Sequence, residues 1–213
     1  MVSRAVLAGI ITLIIFLAGF SLGGFWDALR RDKVEMDLNK ISLYSTSLFL
    51  ESRLIENISC DALWPILSDS VKDLASSLDA YLDYSENSIT NIDEQKLLYR
   101  RYLLSNVRYW LFIEEYKKNC GWNVSTILFF FDEGCGGECD ATATRLDYLK
   151  QKHGGNVMIF PINMGLAYED PVAHTLMRIY NVTSFPSVVV DGVRYQSPAL
   201  AELEGLVCRR VEC

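Results

Sequence analysis

Two cysteines stand four residues apart in the stretch Thr126-Ile-Leu-Phe-Phe-Phe-Asp-Glu-Gly-Cys135-Gly-Gly-Glu-Cys139. An unbroken apolar run leads into them and a helical pattern follows, so the pair sits where a buried strand turns into a helix. The start of a helix carries partial positive charge and favours the thiolate, the form of cysteine that attacks disulfides and binds soft metals. Such a pair can cycle between dithiol and disulfide. Placed on a regular helix, residues i and i+4 have Cα atoms about 6 Å apart, near the upper end of the disulfide range. Gly136 and Gly137 let the turn adapt and leave Cys135 uncrowded for attack. Four carboxylates, Asp132, Glu133, Glu138 and Asp140, flank the pair and oppose a thiolate there.

The chain has six cysteines, an even number. Their positions suggest three pairs: Cys60 with Cys120, Cys135 with Cys139, and Cys208 with Cys213. A pairable set fits an oxidising compartment. Buried free thiols in a reducing compartment are the plainer alternative. The net charge of −7 and pI near 4.9 argue against nucleic acid as the partner.

About fifty residues past the first pair comes Tyr180-Asn-Val-Thr-Ser-Phe-Pro186-Ser-Val-Val-Val-Asp-Gly192. From Ser125 onward the pattern reads strand, helix, strand, helix, hairpin, helix. The strands are 126–131, 157–162, 187–190 and 193–196, and Asp191-Gly192 is a type I′ turn signal. The helices are 139–153, 170–180 and 198–207, with Gly154-Gly155 stopping the first and Pro171 opening the second. This order, the cysteine pair at the first strand–helix junction and the Phe185-Pro186 loop together resemble the thioredoxin family. The resemblance implies a cis peptide at Pro186, a substrate groove formed by Phe185 and Pro186, an attacking thiol at Cys135 and a resolving thiol at Cys139. The sequence departs from the family in three places. Cys-x-x-x-Cys replaces Cys-x-x-Cys, Phe129 stands where many members carry a buried acid, and Gly134 replaces the aromatic before the first cysteine. Proton transfer during resolution then falls to Glu138 or to water.

Two other functions are open on the same residues. The fold could serve as a non-catalytic interaction or assembly domain, with 135–139 as a structural staple. Copper chaperones of the Sco type share the Cys-x-x-x-Cys spacing and add a distant histidine, for which His153 and His174 are the candidates. No cofactor is called for by the preferred reading, and no metal ligands are assigned.

These residues must be positioned by the rest of the chain. Ala5 to Phe25 carries no charge and as a helix would cross about 30 Å of hydrocarbon, with Trp26 at the interface. The four-residue head before it fits a signal anchor with the body exported; a cleaved signal peptide, the alternative, calls for a shorter apolar core and a clear A-x-A site. Sequons at Asn57, Asn123 and Asn181 agree, although Arg30, Arg31 and Lys33 argue for the opposite orientation. The middle of the chain reads as three helices. The first, 26–56, carries Ile41, Leu48 and Ile55 seven apart, a coiled-coil spacing. The second, 61–84, shows a stripe of Leu63, Leu67, Val71, Leu74, Leu78 and Tyr81. The third, 92–118, has Leu97, Leu104, Val107 and Leu111. Tyr99, Tyr102, Leu103, Tyr109 and Trp110 read as core. If the last two helices are antiparallel, Cys60 and Cys120 share one end. Their bridge closes a loop of about 60 residues and stabilises the hairpin by up to about 4 kcal/mol. The spacing of Cys208 and Cys213 permits a local bridge that caps the last helix, or lets Cys213 pair elsewhere.

The expected organisation is a transmembrane anchor over 1–26, a helical stalk or hairpin over 27–120, and an α/β thioredoxin-like domain over 121–213. The expected function is a single-pass, membrane-anchored thiol–disulfide oxidoreductase with its C-terminal domain extracytoplasmic. Its partners would be the membrane, exported protein thiols and disulfides, and a redox partner the sequence does not name. The full-length chain should fractionate with membranes and resist carbonate extraction, whereas a chain starting at Val34 should be soluble. Recovery of the unprocessed full-length chain in the soluble fraction would rule out the anchor.

Overall fold

The computed structural model describes residues 59–87 and 92–213, together with Leu13 and Phe16. The expected span over 5–25 and first helix over 26–56 lie outside these residues, apart from Leu13 and Phe16, which are helical and exposed. Among the described residues no helix is long and apolar enough to cross a membrane.

The described residues from Ser59 onward form one compact unit. It opens with two long helices, α1 (Cys60–Asn87) and α2 (Ile92–Cys120). Strand β1 (Ser125–Phe131) follows, then a 3-10 turn (Glu133–Cys135) and α3 (Gly136–His153). After β2 (Val157–Asn163) come the short α4 (Met164–Ala167) and α5 (Pro171–Ile179). The hairpin β3 (Ser187–Val190) and β4 (Val193–Gln196) leads to the last helix, α6 (Leu200–Val207). The four strands form one mixed sheet in the order β2-β1-β3-β4. β1 is parallel to β2 and antiparallel to β3, and β3 is antiparallel to β4. Asp191 and Gly192 both take positive φ in the hairpin turn, at 46° and 88°, as the Asp-Gly signal requires.

β1 has no hydrophobic alternation because both of its faces are buried. Leu128 and Phe130 point into a core shared with α1, α2, α4 and α5, while Ile127 and Phe129 point into a second core against α3 and α6. Pro161 has no N–H to give a second neighbour, and it is tolerated because β2 is an edge strand. Its carbonyl instead accepts a hydrogen bond from Asn106 Nδ2 at 3.0 Å, which ties α2 to the sheet.

The two long helices pair along their length, and Cys60 and Cys120 are bridged with Cα atoms 5.7 Å apart. The buried stripe of α1 differs from the sequence expectation. Leu63 and Leu67 are buried, but Val71 is exposed, and Ser70 and Ser77 are each 1 % exposed. Both serines donate back to the carbonyl three residues earlier, at 2.8 Å. Their hydroxyls are thereby satisfied, so small residues can line the close approach to α2. α2 lies between α1 and the sheet, and from Tyr99 to Trp110 it is buried around most of its circumference. Leu111, expected inside, is exposed. The core holding Leu63, Leu67, Tyr99 and Trp110 also holds Leu128, Phe130, Phe160 and Val189. The boundary expected at 120/121 is therefore a change of secondary structure within one core. The hairpin forms a layer of the α/β unit, because among the described residues the face of the sheet opposite α3 and α6 has no other long helices to cover it.

A buried lysine fixes this layer. Lys117, in the last turn of α2, has a side chain only 4 % exposed. Its Nζ donates to Asp191 Oδ1 at 2.7 Å, Thr126 Oγ1 at 2.9 Å and Glu114 Oε1 at 3.1 Å. Asp191 also accepts from Ser125 Oγ at 2.8 Å and from the Thr126 amide at 3.1 Å. Burial alone would push the Asp191 carboxyl up. The hydrogen bonds from Lys117, Thr126 and Ser125, with the lysine charge, outweigh burial and hold it below the usual carboxylate value. Breaking a buried pair leaves an uncompensated charge, so Asp191→Asn should destabilise the fold by roughly 3 kcal/mol at neutral pH. A depressed carboxylate pKa contributes stability that is full above the unfolded value of about 3.9 and is lost as pH falls through the folded value. Denaturant titrations should thus show the gap between wild type and variant closing below about pH 4. A gap that is constant with pH would show that the ion pair is not its source.

Candidate functional site: the cysteine turn at the end of the central strand

β1 ends at Phe131 and delivers the chain into the cysteine turn. Asp132 is extended, and Glu133 to Cys135 make a single 3-10 turn. Gly136 then takes φ 49°, ψ −134°, a conformation that L-residues avoid, and α3 begins there. Cys135 is therefore the residue before the helix, not its first-turn member. This turn sets the spacing of the pair. Cys135 and Cys139 do not keep the i, i+4 spacing of a regular helix, and their Cα atoms are 5.6 Å apart, well inside the disulfide range. The two are bridged, and all six cysteines are paired as their positions suggested.

The two sulfurs have different surroundings. Cys139 is 7 % exposed, while Cys135 is only half-buried, so an incoming thiol has its access at Cys135. The Sγ of Cys135 lies 3.1 Å from the Asp132 carbonyl oxygen. The disulfide has no hydrogen to donate, but on reduction the Cys135 thiol can donate to that carbonyl. Glu138 and Asp140 are exposed, so water screens both charges. The turn of α3 that carries Cys139 is steadied by Thr142, fully buried, whose hydroxyl donates to the Glu138 carbonyl at 2.9 Å. Phe129 and Phe131 stack at 5.0 Å, so an apolar ring and not a carboxyl group occupies position 129.

The register of the sheet brings the second element to the same end. Ser187 pairs with Phe130 across β1 and β3. Running antiparallel, the next residue back, Pro186, reaches the level of Phe131, where β1 hands over to the cysteine turn. The Phe185–Pro186 peptide is cis. Pro186 is buried, and Phe185 is half-buried and packs partly on the larger core. Ser187, fully buried, donates to the Ser184 carbonyl at 2.7 Å and closes the loop.

One contributor at this end has no local sequence signal. Tyr99 reads as core and is buried, but its hydroxyl also accepts the Asn163 amide at 2.6 Å. Asn163 pairs with Phe131, so Tyr99 secures the neighbouring strand at the same end of the sheet. Burial drives its pKa far above that of an ordinary phenol, which keeps it neutral. Neither histidine joins the cysteine turn. His153 ends α3, some 21 Å along the helix from Cys139 at roughly 1.5 Å per residue. His174 is engaged through Nε2 with the Tyr168 carbonyl and packs edge-on against the Tyr168 ring. The ligand set of a Sco-type site is thus not assembled around Cys135 and Cys139.

No family model and no curated protein matches this chain. Among solved structures, one described as the structure of a malarial protein is similar at 18% identity and TM-score 0.34, over 41% of this chain and 98% of that one. A likeness of that size carries no argument about fold or function.

The turn itself is testable. An added Cβ at Gly136 or Gly137 meets nothing within 4 Å, so only the backbone distinguishes them. Gly136→Ala should cost about 1–2 kcal/mol because of its positive φ. Gly137→Ala, on the helix, should be neutral or stabilise by up to about 1 kcal/mol. Equal effects in thermal or denaturant unfolding would refute the geometry of the turn.

Proposed function

We propose that the chain is a membrane-anchored thiol–disulfide oxidoreductase of the thioredoxin-like class, acting on exported proteins through Cys135 and Cys139. The observation that carries this reading is the juxtaposition at one end of the sheet. A strand–helix junction holding a closed cysteine pair lies level with a cis Phe185–Pro186 peptide on the neighbouring antiparallel strand. The element order β-α-β-α-β-β-α, with the short α4 inserted after β2, supports the family resemblance. Three bridged pairs agree with an oxidising compartment, and the uncharged run at 5–25 with an anchor.

In the reducing direction, the Cys135 thiolate attacks a substrate disulfide. A mixed disulfide forms and one substrate thiolate leaves. Cys139 then loses its proton and attacks the Cys135 sulfur, which closes the Cys135–Cys139 bond and releases the second substrate thiolate. The chain gives up two electrons and the substrate gains them. The same steps in reverse oxidise a substrate dithiol. The half-buried Cys135 suits the first role and the buried Cys139 the second, since a resolving thiol needs to reach only its neighbour.

A second reading has its own support. Cys139 belongs to the buried set and, among the described residues, no acid is buried beneath the pair, which suits a staple in an interaction domain. Substitution separates the two. Cys139→Ala should trap mixed disulfides on Cys135, visible as reducible adducts, and Cys135→Ala should trap none. Loss of adducts in both variants, with a wild-type bridge that opens only when the domain unfolds, would establish the staple.

A further inference from the structure

The other end of α3 holds a second cluster. His153 is the last residue of the helix, and Gly154 with φ 57° turns the chain away after it. The C-terminal residues fold back onto the same place. Its Nδ1 lies 3.9 Å from Cys213 Sγ, and one ligand atom from each of His153, Cys208 and Cys213 falls within 4.8 Å of the others. Nε2 of His153 is buried and has no hydrogen-bond partner among the described residues.

This is not a loose terminus. Val211, between the two cysteines, is 4 % exposed and belongs to the second core, and its amide donates to the Val207 carbonyl at 3.1 Å. Lys152 Nζ bonds Glu204 Oε1 at 2.8 Å, which couples the end of α3 to α6 four residues before Cys208. The geometry around Cys208 and Cys213 therefore rests on contacts other than the disulfide and can outlast its opening. Cys208 and Cys213 are both exposed, so a reductant and an ion can reach them.

We infer that Cys208, Cys213 and His153 form a redox-gated site for a thiophilic divalent cation of the zinc type. The site is closed while the disulfide stands. A dithiol reductant opens it by transferring two electrons and two protons, itself becoming a disulfide and leaving two thiols. The cation then binds as both thiols release their protons, with Nδ1 of neutral His153 as the third ligand. Two thiolates and an imidazole are a recognised zinc ligand set, one that leaves the fourth tetrahedral position open. Zinc–sulfur and zinc–nitrogen bonds of about 2.3 and 2.0 Å set tetrahedral edges of roughly 3.6 Å. The 3.9 Å between Nδ1 and Cys213 Sγ is close to that edge, so the main change needed is rotation of the sulfurs apart. The inference does not depend on the proposed activity of Cys135 and Cys139.

The test uses the full-length chain carrying Cys135→Ser and Cys139→Ser. It is reduced with dithiothreitol, freed of reductant without oxygen and titrated with Zn²⁺ against a chromophoric chelator. The reduced protein should bind one equivalent and the oxidised protein none. His153→Ala and the similarly sized His153→Gln should each weaken binding roughly tenfold or more. Adding Cys208→Ser and Cys213→Ser should abolish it. Three results would overturn the inference: no uptake by the reduced protein, unchanged affinity in both His153 variants, or uptake that survives loss of Cys208 and Cys213. With Co²⁺ in place of Zn²⁺, a sulfur-to-metal charge-transfer absorption should appear and vanish in the same variants.

Discussion

The Lys117–Asp191 contact holds the layers of this protein in register. Lys117 belongs to the helical hairpin, Thr126 to the start of the central strand and Asp191 to the β3–β4 turn. A charge this deeply buried is tolerated only with its partners in place, so the three segments either assemble together or leave an ammonium in an apolar interior. The direction of β1 follows from that. With its first residues fixed to α2 and to the hairpin turn, its last residues can only emerge at the opposite end of the sheet. That end carries the cysteine turn.

The sheet therefore has two ends with different work. One is closed by the ion pair and its hydroxyl partners. The other collects the 135–139 bridge, the cis peptide before Ser187 and the Tyr99 contact to Asn163. The cores above and below the sheet keep these groups in place without taking part in chemistry. Leu128 and Phe130 bind β1 to the hairpin, and Ile127 and Phe129 bind it to α3 and α6. The helix that begins at the cysteine turn is thus held along its length by Leu146 and Leu149, both essentially fully buried. Its far end meets the C-terminal turn, where a second pair of cysteines finds a histidine.

The helical hairpin shows how far an isolated pattern can mislead. Read alone, α1 and α2 have the stripes of helices in a separate stalk or hairpin. In the folded chain α2 has two neighbours, α1 on one side and the sheet on the other, so polar residues such as Asn106 and Lys117 are buried with specific partners. The serines of α1 occupy the contact face because their hydroxyls bond to their own helix, and the bulkier Val71 is turned outward.

What the sequence determined by itself was local. Apolar runs, helix stops and the Asp-Gly turn marked the strands and the longer helices of residues 60–213 to within a few positions, since each of these signals depends on neighbours close along the chain, whereas the short α4 had no such signal. The three cysteine pairs were legible too, two of them because they are close in sequence and the third because antiparallel helices must return to their starting level. The register of β3 on β1, the placement of the hairpin against the sheet, and the partners of Lys117, Tyr99 and His153 were decided only in the tertiary structure. Those contacts join residues dozens of positions apart. They are fixed by how whole faces pack and by where a buried charge can find its complement, which no local pattern of residues records.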